Sequence, residues 1–201
     1  MKDTVPGIFL IESSARDDEQ KGLRERHALE EILGMDGRPF RHYYIRTEKE
    51  LKELVSEFRA SDYRYLHLAC HGDSEGTGIS LTYDDVAFSA LAGILSPALN
   101  DRRLFISACD STRSALAKPI FGSSTCYSVI GPRGNITFHD AALAWAVFYS
   151  LMSRVNRKVM EQQVIRDQLH SVCSLLKVSF NAFFNVHGLP QLEVFRPNQT
   201  K

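Results

Sequence analysis

Short, nearly continuous apolar segments alternate along this chain with segments in which apolar residues recur every three to four positions. The first kind of segment predicts buried strands, and the second predicts amphipathic helices. The predicted strands are residues 8–11, 43–45, 63–70, 104–109, 126–130 and 192–195. The predicted helices are residues 18–34, 47–58, 139–152 and 157–176, and a further helix is expected to begin just after Cys109. This alternation indicates an α/β fold, in which helices cover both faces of a mostly parallel sheet.

Capping residues mark where two of these helices begin. Thr47 and Glu50 have capping-box spacing, in which each side chain accepts a hydrogen bond from the other residue's backbone N–H. Thr137 precedes the long apolar helix and is suited to cap it. Gly34 is the predicted end of the first helix, because glycine commonly follows the last helical turn.

Composition narrows the function classes. The chain has 201 residues, with 24 Lys and Arg against 24 Asp and Glu. A neutral chain has no global field that attracts nucleic acid or an anionic membrane, so we expect neither partner. Its length suits a single domain over residues 1–201. The apolar run 141–149 is far shorter than the roughly 20 residues that span a bilayer, and no signal peptide is evident. We therefore expect a cytoplasmic protein.

The four cysteines show neither the density of a disulfide scaffold nor the spacing of a metal site. They are predicted to be reduced thiols. Cys70 is expected to point into the core, Cys126 begins a buried strand, and Cys173 lies on a late helix. Cys109 differs because it stands at the carboxyl end of a predicted strand.

Two predicted strands end in residues suited to nucleophilic chemistry. His71 and Gly72 follow the strand at 63–70, and Cys109 ends the strand at 104–109. Ligands of parallel sheets bind beyond the carboxyl ends of the strands, and neighbouring strands bring their ends to one edge. A thiol that faces an imidazole is the minimal arrangement for a nucleophilic cysteine. The backbone N–H groups of Gly72 and Cys109 are the candidate oxyanion donors.

Other polar residues near this edge have simpler interpretations. His67 is predicted to be a packed core histidine, and His139 is expected to have a local role at a helix start. Residues 72–78 read as a loop. The acids closest in sequence to the predicted cleft are Asp73, Glu75, Asp110 and Asp140.

Four motifs occur in a fixed order over about residues 63–153. They are LHLACHG at 66–72, SAC at 107–109, VIG at 129–131, and an alanine-rich helix that Asp140 opens and FYSL ends at 148–151. With these motifs the chain resembles the caspase-like (clan CD) cysteine peptidases, and among them it is most similar to bacterial CHAT domains. It departs from metacaspases at Ser107, where those enzymes place an acid that receives a basic side chain.

The resemblance implies a caspase-like three-layer α/β/α sandwich with a central, mostly parallel sheet. It also implies cleavage of peptide bonds by a Cys–His dyad. Cys109 would attack the scissile carbonyl, His71 would protonate the leaving amine, and the N–H groups of Gly72 and Cys109 would hold the oxyanion. No cofactor or metal is implied. The expected partners are a protein or peptide substrate and a separate activator or regulatory protein, in a bacterial defence or cell-death pathway.

Three other functions stay open. A phosphoacceptor or hydrolase on a flavodoxin-like sheet would require a carboxylate at a central strand end. A TIR-like signalling domain is suggested only by residues 9–14 followed by Asp17 and Asp18. A catalytically silent caspase-like module that binds or regulates a partner would retain the fold without cleaving peptides.

Overall fold

The computed structural model of the protein describes residues 4–22, 24–155 and 160–198. Its elements begin with β1 (Val5–Glu12), α1 (Arg16–Gln20), α2 (Glu25–Met35), β2 (Phe40–Tyr44), α3 (Glu48–Ala60), β3 (Tyr63–Ala69), β4 (His71–Gly72), β5 (Gly78–Ser80) and β6 (Asp85–Ala87). They continue with α4 (Phe88–Leu95), a 3-10 helix (Ser96–Ala98), β7 (Arg103–Ser107), α5 (Ser114–Ser123), β8 (Ser128–Pro132), α6 (Phe138–Val155), α7 (Gln162–Leu176), β9 (Phe180–Val186) and β10 (Leu189–Phe195).

Seven of the strands form the central sheet, in the order β10-β9-β8-β7-β3-β1-β2. The five strands from β8 to β2 are parallel, and β9 and β10 are antiparallel additions at one edge. The short strands β4, β5 and β6 form a separate antiparallel sheet that follows β3 directly. The chain passes from β1 outward to β2 and then returns to the other side of β1 as β3. This reversal opens a crevice at the carboxyl ends of the strands.

Helices cover both faces of the central sheet, which gives three layers. Along β1, Phe9 and Ile11 point into the core beneath α3, α4 and α5, whereas Ile8 and Leu10 point into the core beneath α2, α6 and α7. Side chains of a strand alternate between faces, so a strand buried on both sides is apolar throughout. No helix within the described ranges is both long enough and apolar enough to cross a bilayer.

The predicted helix over residues 18–34 is two helices, α1 and α2. Gly22 lies between them with φ of +69°, a left-handed conformation that glycine adopts without strain. α2 then continues through Gly34, the predicted end, to Met35. Leu23, which the periodicity places on the apolar helix face, lies outside the described residues.

Both predicted helix caps are confirmed. Thr47 Oγ1 accepts a hydrogen bond from the Glu50 backbone N–H at 3.3 Å, and the Glu50 carboxylate accepts one from the Thr47 N–H at 2.9 Å. Thr137 Oγ1 accepts a hydrogen bond from the Asp140 N–H at 3.1 Å. These bonds satisfy backbone donors that have no partner inside the helix, and they fix where α3 and α6 begin.

The pattern missed the small sheet, α4 and β9. Residues 72–78, predicted as a loop, contain part of β4 and the turn into β5, whose strands are too short to show an alternating pattern. The strands that were predicted have ends within three residues of the observed ones. The described part of the last predicted helix begins at Gln162, and its positions 157–159 lie outside the described residues.

The close packing of neighbouring atoms around Gly131 leads to a prediction about protein stability. A Cβ at Gly131 in β8 would overlap Thr112 Oγ1 and lie 2.5 Å from the Ile106 carbonyl oxygen. Because that carbonyl belongs to the backbone of the neighbouring strand β7, it cannot move without disturbing the sheet. We expect Gly131→Ala to lower the free energy of unfolding by about 1–3 kcal/mol, as measured by urea denaturation.

The matched control is Gly34→Ala on the exposed side of α2, where nothing lies within 4 Å of the added Cβ. We expect this substitution to raise the free energy of unfolding by about 0.5–1 kcal/mol, because alanine is the better helix former. Equal effects of the two substitutions would contradict the packing at Gly131.

Candidate active site

A narrow cleft opens at the carboxyl edge of the central sheet, where β1, β3 and β7 end. It is the crevice created by the reversal between β1 and β3, the position at which open α/β sheets bind ligands. Its cavity volume is about 50 Å³, which suits a slender side chain. His71 and Cys109 both line it. Within the described residues, no three His, Cys, Asp or Glu side chains are grouped as a metal site would require.

The pairing of β3 with β7 brings the two candidate residues to this edge. Ala69 and Ser107 are partners in the parallel ladder, and His71 and Cys109 each follow two residues later. The chains then approach so closely that a Cβ at Gly72 would overlap the carbonyl oxygen of Cys109. Glycine at this position is therefore required by the neighbouring backbone.

The thiol and the imidazole contact other groups in this structure. Cys109 Sγ lies 3.3 Å from the carbonyl oxygen of Ile136, to which it donates, and 3.4 Å from the Ile136 N–H, from which it accepts. His71 Nε2 lies 3.0 Å from Asp18 Oδ2 on α1. No hydrogen bond joins Cys109 to His71, both of which lie in the described part of the chain. The structure thus brings the two side chains to one cleft without pairing them, as apo sites often do.

Of the two candidate oxyanion donors, the Gly72 N–H can be placed, because Gly72 lies against the backbone of Cys109. The Asp73 N–H donates to the Gly78 carbonyl at 3.3 Å, and Gly72 pairs with Ile79 one position earlier in the β4–β5 ladder. Bonded and non-bonded pairs alternate along an antiparallel ladder. The Gly72 N–H therefore points away from β5. At this position the backbone of Gly72 lies next to that of Cys109.

The four acids that the sequence placed near the cleft do not line it. Asp73 accepts hydrogen bonds from the Thr77 N–H and hydroxyl, at 2.8 and 2.7 Å, within its own turn. Asp110 pairs with Arg113 three residues later. Asp140 takes part in the cap at the start of α6, and Glu75 is exposed. These acids shape turns and helix ends.

Glu12 and Glu25 are the carboxylates that line the cleft. Glu12 ends β1 and Glu25 begins α2, and they are only 1% and 2% exposed. Glu12 Oε1 accepts the Glu25 backbone N–H at 2.5 Å, and its Oε2 lies 2.9 Å from His42 Nε2. Glu25 Oε2 accepts the Ser107 hydroxyl at 2.6 Å. Hydrogen bonds thus hold two buried carboxylates at the wall of the cleft.

His67 lies beneath this wall. The ring is fully buried against Trp145, with centroids 4.9 Å apart, as a packed core histidine should be. It also has polar neighbours: Nδ1 lies 2.7 Å from the Tyr149 hydroxyl, and Nε2 lies 3.1 Å from Glu25 Oε1 at an angle outside hydrogen-bond geometry. Burial, with a contribution from Glu25, raises the pKa of Tyr149. The phenol therefore keeps its proton, and its hydroxyl lies within hydrogen-bond distance of Nδ1.

Three of the four thiols are unsuited to nucleophilic chemistry. Burial raises the pKa of Cys126 and of Cys173 to about 12. Burial also raises the pKa of Cys70, with smaller contributions from Glu25 and Cys109. Since the thiolate is the nucleophile, these cysteines stay protonated and unreactive near neutral pH.

The sequence pattern missed four residues of the cleft and its surroundings: Glu12, Asp18, Glu25 and Ile136. Glu12 did carry a signal, because it is a charged residue directly after a buried strand. Asp18 and Glu25 carried none, since their distance from the strand ends depends on the path of α1 and α2. Ile136 contacts the Cys109 thiol through its backbone N–H and carbonyl. Sequence patterns of side-chain types do not reveal such backbone contacts.

Solved structures that share this fold include two proteins of known class. A secreted C11 cysteine protease from Bacteroides thetaiotaomicron superposes with a TM-score of 0.59 and 11% sequence identity, over 90% of this chain and 66% of that protease. Caspase-1 from Spodoptera frugiperda superposes with a TM-score of 0.54 and 12% identity, over 100% of this chain and 94% of the caspase. No family model matches the chain, and no curated protein matches it either. The predicted caspase-like α/β fold is confirmed.

The structure around the cleft leads to a prediction about the relative reactivity of the four cysteine thiols. Cys109 and Cys70 are both half-buried and both line the cleft, whereas Cys126 and Cys173 are buried. Desolvation raises the pKa of Cys70, Cys126 and Cys173, which keeps these three thiols protonated. With limiting iodoacetamide near neutral pH, we expect Cys109 to be alkylated at least about tenfold faster than the others. Peptide mass spectrometry measures the four rates separately.

Two controls frame this measurement. Cys109→Ala should remove the fast reaction, and the urea-unfolded protein should label all four positions at similar rates. Faster alkylation of Cys70 in the folded protein would show that the wrong thiol has been singled out.

Proposed function

We propose that this protein is a cysteine endopeptidase in which Cys109 and His71 form the catalytic dyad. The observation that carries the proposal is the convergence of both residues at one cleft on the carboxyl edge of the sheet. The fold shared with two cysteine proteases supports it at the level of architecture. The motif order favours a CHAT-type peptidase of a bacterial defence or cell-death pathway. Four free cysteines favour a cytoplasmic location.

The proposed reaction proceeds through a thioester. His71 takes the proton of the Cys109 thiol as the sulfur attacks the scissile carbonyl carbon, and the N–H groups of Gly72 and Cys109 stabilise the negative oxygen that develops. The C–N bond then breaks as His71 donates a proton to the leaving amine. A water molecule next attacks the thioester while His71 accepts its proton, which releases the carboxylic acid and the thiol.

Asp18 determines which ring nitrogen of His71 is available to the thiol. Its carboxylate lies on His71 Nε2, so Nδ1 is the nitrogen left to face the thiol. For the dyad to form, the thiol must leave the Ile136 carbonyl and turn to Nδ1, a side-chain rotation that substrate can trigger. Asp18 is thus a positioning residue, like the acid that orients histidine in catalytic triads.

Substitutions test these roles. We expect Cys109→Ala to abolish cleavage of a peptide library and His71→Ala to lower kcat/KM by about 10²–10⁴-fold, the usual contribution of a general acid–base. Asp18→Asn should lower kcat by a smaller factor with little change in KM, because this residue acts through His71 and does not hold the substrate. Profiling of cleaved peptides by mass spectrometry measures all three.

Cys70→Ala is the matched control, since it removes a neighbouring thiol and should retain activity. Cleavage by Cys109→Ala at the wild-type rate would overturn the proposal. A folded wild type that cleaves nothing, alone or with proteins encoded nearby, would favour the silent binding module instead.

The acidic wall of the cleft favours a basic substrate side chain. Ser107 stands where metacaspases have an acid, but its hydroxyl donates to the Glu25 carboxylate, which reaches the same place from α2. Glu12 adds a second buried carboxylate. Because the cavity is narrow, we propose that it receives the side chain of Arg or Lys preceding the cleaved bond.

Glu25→Gln tests this preference while keeping an oxygen for Ser107. We expect wild-type enzyme to prefer a peptide with arginine over the matched peptide with citrulline, its neutral analogue. The substitution should reduce that preference about 10–100-fold, because charge-assisted hydrogen bonds contribute about 1.5–3 kcal/mol. Ratios of kcat/KM for the two peptides provide the readout.

Glu57→Gln, an exposed acid on α3, is the control and should leave the ratio unchanged. Equal cleavage of the arginine and citrulline peptides by the wild type would show that the carboxylates do not select the substrate.

A further inference from the structure

A second, larger cavity opens at the opposite edge of the sheet, where β3, β7 and β8 begin. Its volume is about 680 Å³, within the range typical of small-molecule sites. Arg64 and Arg103 stand at the starts of β3 and β7, whose other ends lead to His71 and Cys109. The strands therefore separate this cavity from the candidate active site.

Arg103 is a buried cation for which the described part of the chain supplies no acidic partner. Its side chain is only 8% exposed, and it lines the cavity. Its guanidinium donates to Ser128 Oγ at 2.9 Å and lies 5.3 Å from the Tyr127 ring centroid. Among the described residues, no carboxylate forms an ion pair with it. Buried charges in proteins are normally paired, so this guanidinium has donors to spare for an anion.

The N-terminus of α7 opens on the same cavity. Glu161 and Gln162 line it, and Glu161 precedes a helix of 15 residues without capping it through its side chain. The first backbone bond of the helix runs from the Ile165 N–H to the Glu161 carbonyl, at 2.9 Å. The N–H groups before Ile165 thus have no partner within the helix, and the positive end of the helix dipole lies there. Such helix ends bind phosphate.

Positive charge predominates on the cavity wall. Four arginines line it against two acids, Asp101 and Glu161. Arg102 donates to carbonyls at the end of α3, including those of Phe58 at 2.6 Å and Ser61 at 2.8 Å, so it shapes the wall. Arg59, exposed at the rim, adds charge where a ligand would enter.

We propose that this cavity binds a phosphorylated small molecule. The phosphate oxygens would accept hydrogen bonds from the Arg103 guanidinium and from the first N–H groups of α7, with Arg59 at the rim. The remainder of the molecule would lie against the Tyr127 ring, in a space of nucleotide size. Guanidinium groups suit this role because they bind phosphate through two parallel hydrogen bonds.

Calorimetric titration with inorganic pyrophosphate and with ADP tests the site. We expect the wild type to bind at least one of them and not to bind adenosine, which lacks phosphate. Arg103→Gln should weaken binding at least tenfold, Arg103→Lys less, and Arg59→Gln a few-fold. Cys109→Ala should bind as the wild type does, so the outcome is independent of the proposed peptidase activity.

Arg26→Gln on α2 is the matched control, since it removes an exposed arginine that pairs with Glu30. Thermal melts without ligand show whether each variant is folded. If Arg103→Gln does not fold, the affinities of Arg103→Lys and Arg59→Gln decide the outcome. Absence of binding by the wild type at millimolar concentrations would overturn the proposal. Binding unaffected at Arg103 and Arg59, or weakened equally at Arg26, would overturn it as well.

Discussion

The parallel pairing of β3 with β7 is the constraint on which the cleft depends. Both strands lie inside the sheet, so each is hydrogen-bonded on both sides, and their ends cannot move separately. Beyond the last ladder pair the two chains stay so close that Gly72 has no room for a side chain beside Cys109. The backbone thus determines how near the thiol and the imidazole lie. Only side-chain rotation remains to assemble or separate them.

A buried layer of acids ties the helices to these strand ends. Glu12, at the end of β1, accepts the first N–H of α2, a helix whose own N-cap, Arg24, makes no side-chain cap bond. Glu25 in turn receives the Ser107 hydroxyl from β7. Burying two carboxylates costs free energy that these hydrogen bonds offset. The same bonds that anchor α2 therefore give the cleft its acidity.

Apolar periodicity was sufficient to predict the parallel strands, because all of them except the edge strand β2 are buried on both faces, as in β1. It also singled out His71 and Cys109, since both lie two residues beyond the ends of such strands. It could not reveal Glu25, which reaches the cleft from a separate helix, or Asp18, which depends on the break at Gly22. The small sheet was not predicted for a different reason: its strands of two or three residues are defined by their pairing alone.

A net charge of zero conceals a separation of charge between the two edges of the sheet. Glu12 and Glu25 line the cleft at the carboxyl ends of the strands, whereas Arg59 and Arg103 line the cavity at the amino ends. Neither pair contributes to a long-range field, because the chain as a whole is balanced. Glu12, Glu25 and Arg103 are buried, and electrostatic interactions of buried groups are stronger than in water. The two proposed sites thus place buried charges of opposite sign at opposite edges of one neutral chain.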